Sequence, residues 1–335
     1  MIRIGVLAPS EIAYRRFVPA IINSEIIQYV GVACAQYNEW DELSKDVNCI
    51  PRELEKANKF KEAFGGRVYE GYHSMLSAND IDAIYVPLPP GLHYKWGNEV
   101  INAHKHLFLE KPFSDSYEHT KELVENATKN NLAVQENFAF VYHKQLSHIR
   151  QIICSGAIGE VRLIRTAFGF PYRGEKDFRY HRSMGGGALL DCGGYPTRLA
   201  QLLLGNSAKV LSSALSPARG HDVDIYGSAT LCNDKNQVAQ ISFGMDNAYK
   251  CELEVWGSNG ILQTPRVFTP TAEMNTVIII KTDVCKEIDI EPDDQFLHSA
   301  ECFAECINDL SKREFRMNEI LIQAKLMEDI RRMSI

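Results

Sequence analysis

Short apolar runs alternate with stretches of helical periodicity along the first part of the chain, and this alternation limits the possible folds more than any other feature. The runs that we interpret as strands lie at residues 2–7, 28–34, 82–86, 106–109 and 133–135. Strands that alternate with helices form a mostly parallel sheet with helices on both of its faces. The sequence therefore predicts an open α/β sheet, and ligands bind such sheets at the carboxyl ends of the strands.

The first strand, Ile2–Leu7, leads directly into a tight turn and a helix that begins near Ile12. This arrangement is typical of a dinucleotide-binding unit, in which backbone N–H groups and a helix N-terminus face a pyrophosphate. The residues expected to line that site are Ala8, Ser10, Ile12 and Ala13. Ala8 and Ser10 stand where glycines normally let phosphates come close, while Ala13 is an accepted form of the third glycine. The Ser10 hydroxyl could bind a phosphate or cap the helix.

The end of the second strand leaves the choice between NAD and NADP open. An acidic residue there would bind the ribose hydroxyls of NAD, and a basic residue would bind the 2′-phosphate of NADP. The chain has Ala35 and Gln36 at this point. Arg15 or Arg16 could reach the adenosine side, and a solvated helix face is the alternative. We therefore expect NADP or NAD as the cofactor without choosing between them.

A proline-rich loop follows the strand at residues 82–86. Prolines stop the strand and stiffen the loop at the edge of the ligand crevice. We expect Leu88, Pro89 and His93 to lie near the cofactor. His93 could instead cap a helix or lie at the surface.

Glu110 and Lys111 follow the apolar strand at residues 106–109. A lysine at the carboxyl end of such a strand would point into the crevice. We expect both residues at the cofactor, with Lys111 where the two halves of the chain meet. The alternative is a solvated lysine in a salt bridge with Glu110.

A glycine-rich stretch at residues 185–198 carries the second polar cluster. Its five glycines within ten residues allow the backbone to approach a flat cofactor ring or a sugar closely. Asp191 and Tyr195 are four residues apart, so both could face the same way on a helix. A tyrosine beside a lysine cation can serve as an acid or a base toward a carbonyl or hydroxyl. The alternative is that Asp191 caps the helix and Tyr195 packs in the core.

The second half of the chain differs in pattern from the first. Residues 210–290 alternate strand-like runs with polar turns, which predicts a large, mostly antiparallel open sheet with one exposed face, a candidate for dimer contacts. Two helices, at 295–310 and 317–333, are expected to end the chain. We expect a dinucleotide-binding domain at residues 1–122 and a substrate-binding and oligomerisation domain at 123–335, whose last helices could pack back on the first domain.

Composition excludes several classes of function. The 335 residues carry a net charge of −7 without a long basic run, so we expect binding to neither nucleic acid nor an anionic membrane surface. No apolar stretch approaches the ~20 residues that cross a bilayer, and a strand at residue 2 leaves no room for a signal peptide. The nine cysteines form no Cys-x-x-Cys pair, which indicates reduced thiols in the cytoplasm and no metal site.

Together these residues resemble the glucose–fructose oxidoreductase and inositol dehydrogenase family (Gfo/Idh/MocA), nearly from end to end. The matching stretches are residues 85–93, 103–112, 156–160 and 185–196. The resemblance implies an N-terminal Rossmann domain, a C-terminal α/β domain with an open sheet, and a homodimer or homotetramer formed through that sheet. It also implies NAD or NADP as cofactor and hydride transfer at a CH–OH or carbonyl carbon of a sugar, cyclitol or diol.

The resemblance also implies roles for individual residues. Lys111 would polarise the reacting oxygen, Asp191 would line the substrate site and Tyr195 would take the place of the family's proton donor. Residues 140–143, 177–180 and 195–198 look closest to the nucleotide-sugar 3-ketoreductase branch, and Arg179 and Tyr180 are the expected substrate contacts, with packing or surface roles as the alternative. There are two rival interpretations. The protein could be a cyclitol or dihydrodiol dehydrogenase, or it could be a non-catalytic sensor of a nucleotide or sugar.

Overall fold

The computed structural model describes residues 1–39, 49–217 and 220–334. The chain divides into two units, one made of Met1–Asn137 with Phe296–Ile320, the other of Phe138–Gln295 with Leu321–Ile335. The domain boundary that we expect between residues 122 and 123 stays a prediction.

A six-stranded parallel sheet forms the first unit. Its strands are β1 (Ile2–Leu7), β2 (Ile27–Cys34), β3 (Arg67–Glu70), β4 (Ala83–Val86), β5 (His106–Glu110) and β6 (Val134–Asn137). Their order across the sheet is β3-β2-β1-β4-β5-β6, with every neighbouring pair parallel. The order reverses between β1 and β4, which is the switch point where doubly wound sheets bind ligands. The predicted α/β sheet is confirmed.

Helices connect the strands of this sheet. They are a π-helical turn (Ala13–Phe17), α1 (Val18–Ile21), α2 (Cys49–Phe64), α3 (Tyr72–Leu76), a 3₁₀ turn (Pro90–Leu92), α4 (His93–Asn102) and α5 (Tyr117–Lys129). The first helix is predicted to begin near Ile12, and in the structure the helical segment there contains the π-helical turn Ala13–Phe17 before α1. Such turns accommodate one extra residue per turn and are frequent at functional sites.

The remaining helices lie in the second half of the chain. They are a 3₁₀ turn (Ala139–Tyr142), α6 (Lys144–Cys154), two 3₁₀ turns (Phe178–Tyr180 and Arg182–Met184), a π-helical turn (Leu189–Gly193), α7 (Gly194–Leu204), α8 (Gln295–Asn308) and α9 (Leu310–Arg332). The last helix begins seven residues before the predicted start at residue 317. Arg313 explains the early start, because its buried side chain donates to the carbonyl oxygens of Cys306 and Ile307 and so caps α8 from the first turn of α9.

Aromatic rings fill the core on one face of the parallel sheet. Phe17 stacks on Tyr85 with ring centroids 3.8 Å apart, and Phe108 stacks on Phe303 of α8 at 5.0 Å. All four side chains are buried, and burying each phenylalanine stabilises the fold by about 1.5–3 kcal/mol. Helix α8, although distant in sequence, therefore covers the face of the sheet that contains Phe108.

An eight-stranded sheet forms the second unit. Its strands are β7 (Val161–Phe170), β8 (Lys209–Pro217), β9 (Asp224–Cys232), β10 (Val238–Met245), β11 (Lys250–Gly257), β12 (Ile261–Thr264), β13 (Thr276–Lys281) and β14 (Cys285–Ile290). The order is β14-β13-β12-β11-β7-β10-β9-β8, and β7 and β10 are its parallel pair. Along β11, Cys251, Leu253 and Val255 are buried while Trp256 is exposed. The predicted open, mostly antiparallel sheet is confirmed.

Candidate functional site

The turn after β1 has a backbone conformation that suits glycine. Ala8 is buried and has a φ of +131°, a value that L-residues other than glycine rarely adopt. The side chain at this position therefore strains the backbone. The strain marks Ala8 as the place where a dinucleotide-binding turn normally has glycine.

Ser10 caps the helix that follows this turn. Its Oγ accepts a hydrogen bond from the Ala13 N–H at 3.2 Å, and its carbonyl oxygen accepts from the Tyr14 N–H at 3.0 Å. The amides of Glu11 and Ile12 lie in the first turn, where a helix has no internal acceptor for them. These N–H groups are suited to bind an anion at the switch point of the sheet. Apart from the methyl group of Ala8, the turn thus fits a pyrophosphate, and the expected cofactor contacts of Ala8, Ser10, Ile12 and Ala13 stay predictions.

His93 joins the two loops that follow β4 and β5. The ring is fully buried, with Nδ1 2.8 Å from the Pro112 carbonyl oxygen and Nε2 2.7 Å from the Leu88 carbonyl oxygen. Burial lowers the pKa of His93, and these carbonyl oxygens partly oppose that effect. Since both ring nitrogens are engaged by the backbone, the geometry supports a role in holding the loop of Leu88 and Pro89 in place. Its expected contact with a cofactor stays a prediction.

Lys111 directly follows β5, and its peptide bond to Pro112 is cis. Beside it, the Glu110 carboxyl accepts hydrogen bonds from the Tyr85 hydroxyl at 2.5 Å and from Asn137 Nδ2 at 2.7 Å. Burial raises the pKa of Glu110, while the two donors and the charge of Lys111 act in the opposite direction. The structure thus brings Glu110 and Lys111 together at the carboxyl end of β5.

Asp191 is held by an arginine. It lies in the π-helical turn Leu189–Gly193, and its Oδ2 accepts a hydrogen bond from Arg179 Nε at 2.7 Å. Arg179 Nη1 also donates to Asp177 at 3.1 Å, so one guanidinium bridges two carboxylates. These carboxylates raise the pKa of Arg179 despite its burial. Arg179 therefore orients Asp191, and its expected contact with substrate stays a prediction.

Tyr195 lies half-buried in a group of phenylalanines. Its ring centroid is 4.8 Å from that of Phe168, 5.4 Å from Phe138 and 5.6 Å from Phe268. Rings at these distances restrict how the tyrosine can rotate. The first turn of α7 and this aromatic group therefore set the direction of the Tyr195 hydroxyl.

Tyr180 is engaged inside the second unit. It is 2% exposed, and its hydroxyl donates to Asp246 Oδ1 at 2.5 Å and accepts from the Arg173 N–H at 3.2 Å. Burial and Asp246 raise the pKa of this tyrosine to about 12. The geometry supports a structural role for Tyr180, and the expected contact with substrate stays a prediction.

Asp224 is a residue of this region that sequence reasoning missed. Its Oδ2 accepts from the Leu189 N–H at 2.6 Å, at the start of the π-helical turn that carries Asp191. A Cβ on Gly187, which has a φ of +119°, would lie 2.5 Å from Asp224 Oδ1. Only glycine fits there, so Asp224 and Gly187 together fix the backbone that leads into the π-helical turn of Asp191. No local motif marks Asp224, because it lies 33 residues further along the chain than Asp191.

Two observations concern other kinds of site. In the ranges 1–39, 49–217 and 220–334, no group of three or more His, Cys, Asp or Glu side chains is placed to hold a metal ion. Over the same residues, no helix has the length and apolar character required to cross a membrane.

Models of one enzyme family match both parts of the chain. The model described as an oxidoreductase family with an NAD-binding Rossmann fold matches residues 27–138, and the GFO/IDH/MocA C-terminal domain matches residues 146–263. The chain is 34% identical to dTDP-3,4-didehydro-2,6-dideoxy-alpha-D-glucose 3-reductase from Actinomadura kijaniata, over 98% of this chain and 95% of that protein. A protein of the same name from Saccharopolyspora spinosa is 36% identical over 90% of this chain and 86% of its own length.

Solved structures agree with these matches. KijD10, a 3-ketoreductase from Actinomadura kijaniata solved in complex with NADP and TDP-benzene, has a TM-score of 0.90 and 34% identity, covering 99% of this chain and 98% of its own. The aldose–aldose oxidoreductase from Caulobacter crescentus shares the fold, with a TM-score of 0.85 at 19% identity, over 99% of this chain and 97% of its own. The chain belongs to the Gfo/Idh/MocA family and is an NAD(P)-dependent oxidoreductase.

Proposed function

We propose that the protein reduces the keto group of a nucleotide-linked sugar with NADPH. The observation that carries this proposal is the 34% identity to KijD10 over almost the whole chain, since that 3-ketoreductase was solved with NADP and a TDP derivative. We thus propose that the substrate has its keto group at position 3 and carries a thymidine diphosphate. We also propose that the enzyme prefers NADP to NAD.

The spacing of two residues supports the assignment of the reacting groups. Solved variants of KijD10 include replacements of one lysine by Ala or Glu and of one tyrosine by Phe, at positions 84 residues apart. Lys111 and Tyr195 have the same separation in this chain. We therefore assign them the main roles at the reacting oxygen.

The chain's own residues would act on the oxygen of the reacting carbonyl. A bound nicotinamide supplies the hydride. The Lys111 ammonium would stabilise the negative charge that develops on the oxygen, and the Tyr195 hydroxyl would donate a proton to it. Asp191, fixed by Arg179, would accept hydrogen bonds from sugar hydroxyls. In the reverse direction Tyr195 would take the proton of the CH–OH oxygen, and the hydride would pass to a bound oxidised nicotinamide.

The strained Ala8 favours one alternative. An alanine side chain at this turn narrows the approach of a pyrophosphate, as expected in a member of the family that senses a nucleotide or sugar without turnover. The helix cap at Ser10 and the Glu110 carboxyl beside Lys111 favour the enzyme. A cytoplasmic location and a homo-oligomer formed through the antiparallel sheet belong to the same proposal.

Turnover and binding, measured separately, distinguish these alternatives. Fluorescence titration with NADPH and NADH shows which cofactor binds. Turnover measured on a panel of dTDP-linked keto sugars and free polyols identifies the substrate. We expect Lys111→Met and Tyr195→Phe to lower kcat/KM by about 10²–10⁴-fold and to leave NADPH affinity within about two-fold. The exposed Lys129→Met variant is the control. Full activity in either test variant would refute the assigned roles, and cofactor binding without turnover across the panel would favour the sensor.

A further inference from the structure

A chain of buried polar side chains leads from helix α8 to Glu110. Gln135 Nε2 donates to Ser299 Oγ at 3.0 Å, and Ser299 Oγ donates to Asn137 Oδ1 at 2.9 Å. Asn137 Nδ2 in turn donates to Glu110 Oε1 at 2.7 Å. Gln135, Asn137 and Ser299 are each at most 3% exposed. Buried polar groups that hydrogen-bond to one another restrict each other's orientation, although Gln135 Oε1 itself has no hydrogen-bond partner among the residues that the structure describes.

The fold explains why these residues meet. In the parallel pair β5–β6, Glu110 lies beside Asn137, and Phe108 lies beside Gln135. Alternate residues of a strand share a face, so the polar and aromatic members of both strands point the same way. Helix α8 packs on this face through Phe303, and Ser299 precedes Phe303 by one helical turn. A serine 162 residues away in sequence is thus placed against Asn137.

The donors and acceptors run in one direction. Gln135 Nε2 also donates to the Ser299 carbonyl oxygen at 2.7 Å, which fixes that amide with its nitrogen toward Ser299. An amide nitrogen only donates, so Ser299 Oγ accepts from it and uses its single O–H toward Asn137 Oδ1. The Asn137 amide is therefore held with its nitrogen toward Glu110. Removal of the Ser299 hydroxyl would release that orientation.

Glu110 depends on these donors for its charge. A carboxylate taken out of water is stable only when hydrogen bonds and a counter-charge replace its hydration. The groups that act on Glu110 are Tyr85 from β4, Asn137 from β6, and the charge and the backbone N–H of Lys111, while α8 contributes the neutral Ser299 through Asn137. The Asn137 donor is oriented by Ser299, a residue outside the parallel sheet.

We propose that Ser299 and Asn137 are positioning residues, which hold the Glu110 carboxylate beside Lys111 as its counter-ion. This inference rests on the proposed role of Lys111 in the reduction. A lysine with a fixed counter-ion keeps its charge and direction through the reaction. Neither residue needs to touch substrate or cofactor, and both act through Glu110.

Infrared titration of the full-length protein tests this directly. The carboxylic acid band of Glu110, assigned by its loss in Glu110→Gln, reports protonation without any substrate. We expect Ser299→Ala to raise the pH at which this band appears by at least about half a unit, which is about three-fold in proton affinity. Ser213→Ala is the matched control, because it removes a buried serine hydroxyl, bonded to the Ile330 carbonyl oxygen, from the second unit. In Ser213→Ala the Glu110 band should titrate as in the wild type.

A second variant covers the case in which Ser299→Ala does not fold. Asn137→Asp keeps the shape of the side chain, removes the donor and adds a like charge, so the upward shift should be larger. The acid limb of kcat/KM should move with the infrared titration in each variant. An unchanged Glu110 band in the folded variants would overturn the inference even if the protein is a reductase. A shifted band in a protein that Lys111→Met leaves fully active would support the network and refute the proposed function.

Discussion

Arg179 shows how one side chain can organise the polar cluster of the second unit. Its guanidinium pairs with Asp191 and Asp177, lies over the Phe178 ring at 4.5 Å, and has its side chain 23% exposed. A planar cation with several donors suits this bridging role better than lysine would. The Asp191 side chain is 8% exposed, so this ion pair lies in a place that water hardly reaches.

We expect Arg179→Met to lower the free energy of unfolding by about 3 kcal/mol, because it removes a guanidinium that is ion-paired with the buried Asp191 carboxylate. The same change should lower kcat, since Asp191 loses its direction. Urea unfolding and steady-state kinetics measure the two effects. Arg182→Met is the control, because Arg182 pairs with Asp222 at the surface, and it should change stability by less than about 0.5 kcal/mol. Equal effects in the two variants would contradict the buried role of Arg179.

The strain at Ala8 leads to a prediction at the same scale. Ala8→Gly should raise the free energy of unfolding by roughly 1 kcal/mol, since the release of about 1–3 kcal/mol of strain exceeds the 0.5–1 kcal/mol entropic penalty of glycine. It should also tighten NADPH binding, because the turn loses the methyl group. Ala13→Gly, in a helical turn, is the matched control and should destabilise the protein. Thermal unfolding and fluorescence titration test both statements, and a destabilised Ala8→Gly variant would argue against strain.

At the scale of elements, the loops and strand ends of the first unit are tied together by side chains from distant parts of the chain. His93, at the start of α4, bridges the loops after β4 and β5. His106, at the start of β5, accepts the Ala133 N–H at 2.9 Å just before β6. The His106 contact requires a neutral imidazole, because its Nδ1 accepts the hydrogen bond, so the pairing of β5 with β6 is linked to pH.

His106 gives this linkage a sign and a range. Burial, with Arg313 nearby, lowers its pKa from 6.5 to about 4. A lowered folded-state pKa means that the neutral form stabilises the fold above pH 6.5, and that this contribution is lost as the pH falls toward 4. Between pH 6.5 and 4 this effect lowers the free energy of unfolding of the wild type by up to about 3 kcal/mol. We expect this decrease to be absent in His106→Asn. Urea unfolding from pH 7 to 4 measures it, and parallel curves for variant and wild type would refute the assignment.

At the scale of the whole molecule, each unit has its own apolar core. Phe17, Val32 and Phe108 belong to the core of the first unit, and Phe168, Leu253 and Ile278 to that of the second. The antiparallel sheet also has large exposed side chains, among them Leu211, Tyr226 and Trp256. Exposed apolar side chains on one sheet face are typical of an interface between copies.

We therefore expect the wild-type protein to be a homodimer or homotetramer, and Trp256→Glu to dissociate it. Trp256 is 46% exposed on β11, and a buried negative charge would oppose association. Sedimentation equilibrium measures the mass. Phe315→Glu is the control, because Phe315 is 54% exposed on α9, outside the sheet, and should leave the mass unchanged. A monomeric wild-type protein would contradict this prediction.

The sequence by itself determined the classes of the two sheets and the strand ends that carry polar residues. Local patterns suffice for this, because the period of apolar residues reports helix or strand, and parallel strands place their carboxyl ends at one edge. Lys111 is predicted from such a strand end, and Asp191 and Tyr195 are predicted from their spacing within a glycine-rich stretch. Only the tertiary structure shows the hydrogen-bond partners of Arg179, Tyr180 and His93. The same holds for the φ of Ala8 and for the hydrogen bond between Ser299 and Asn137. These depend on contacts between residues far apart in the chain, which strand register and helix packing create and no local pattern encodes.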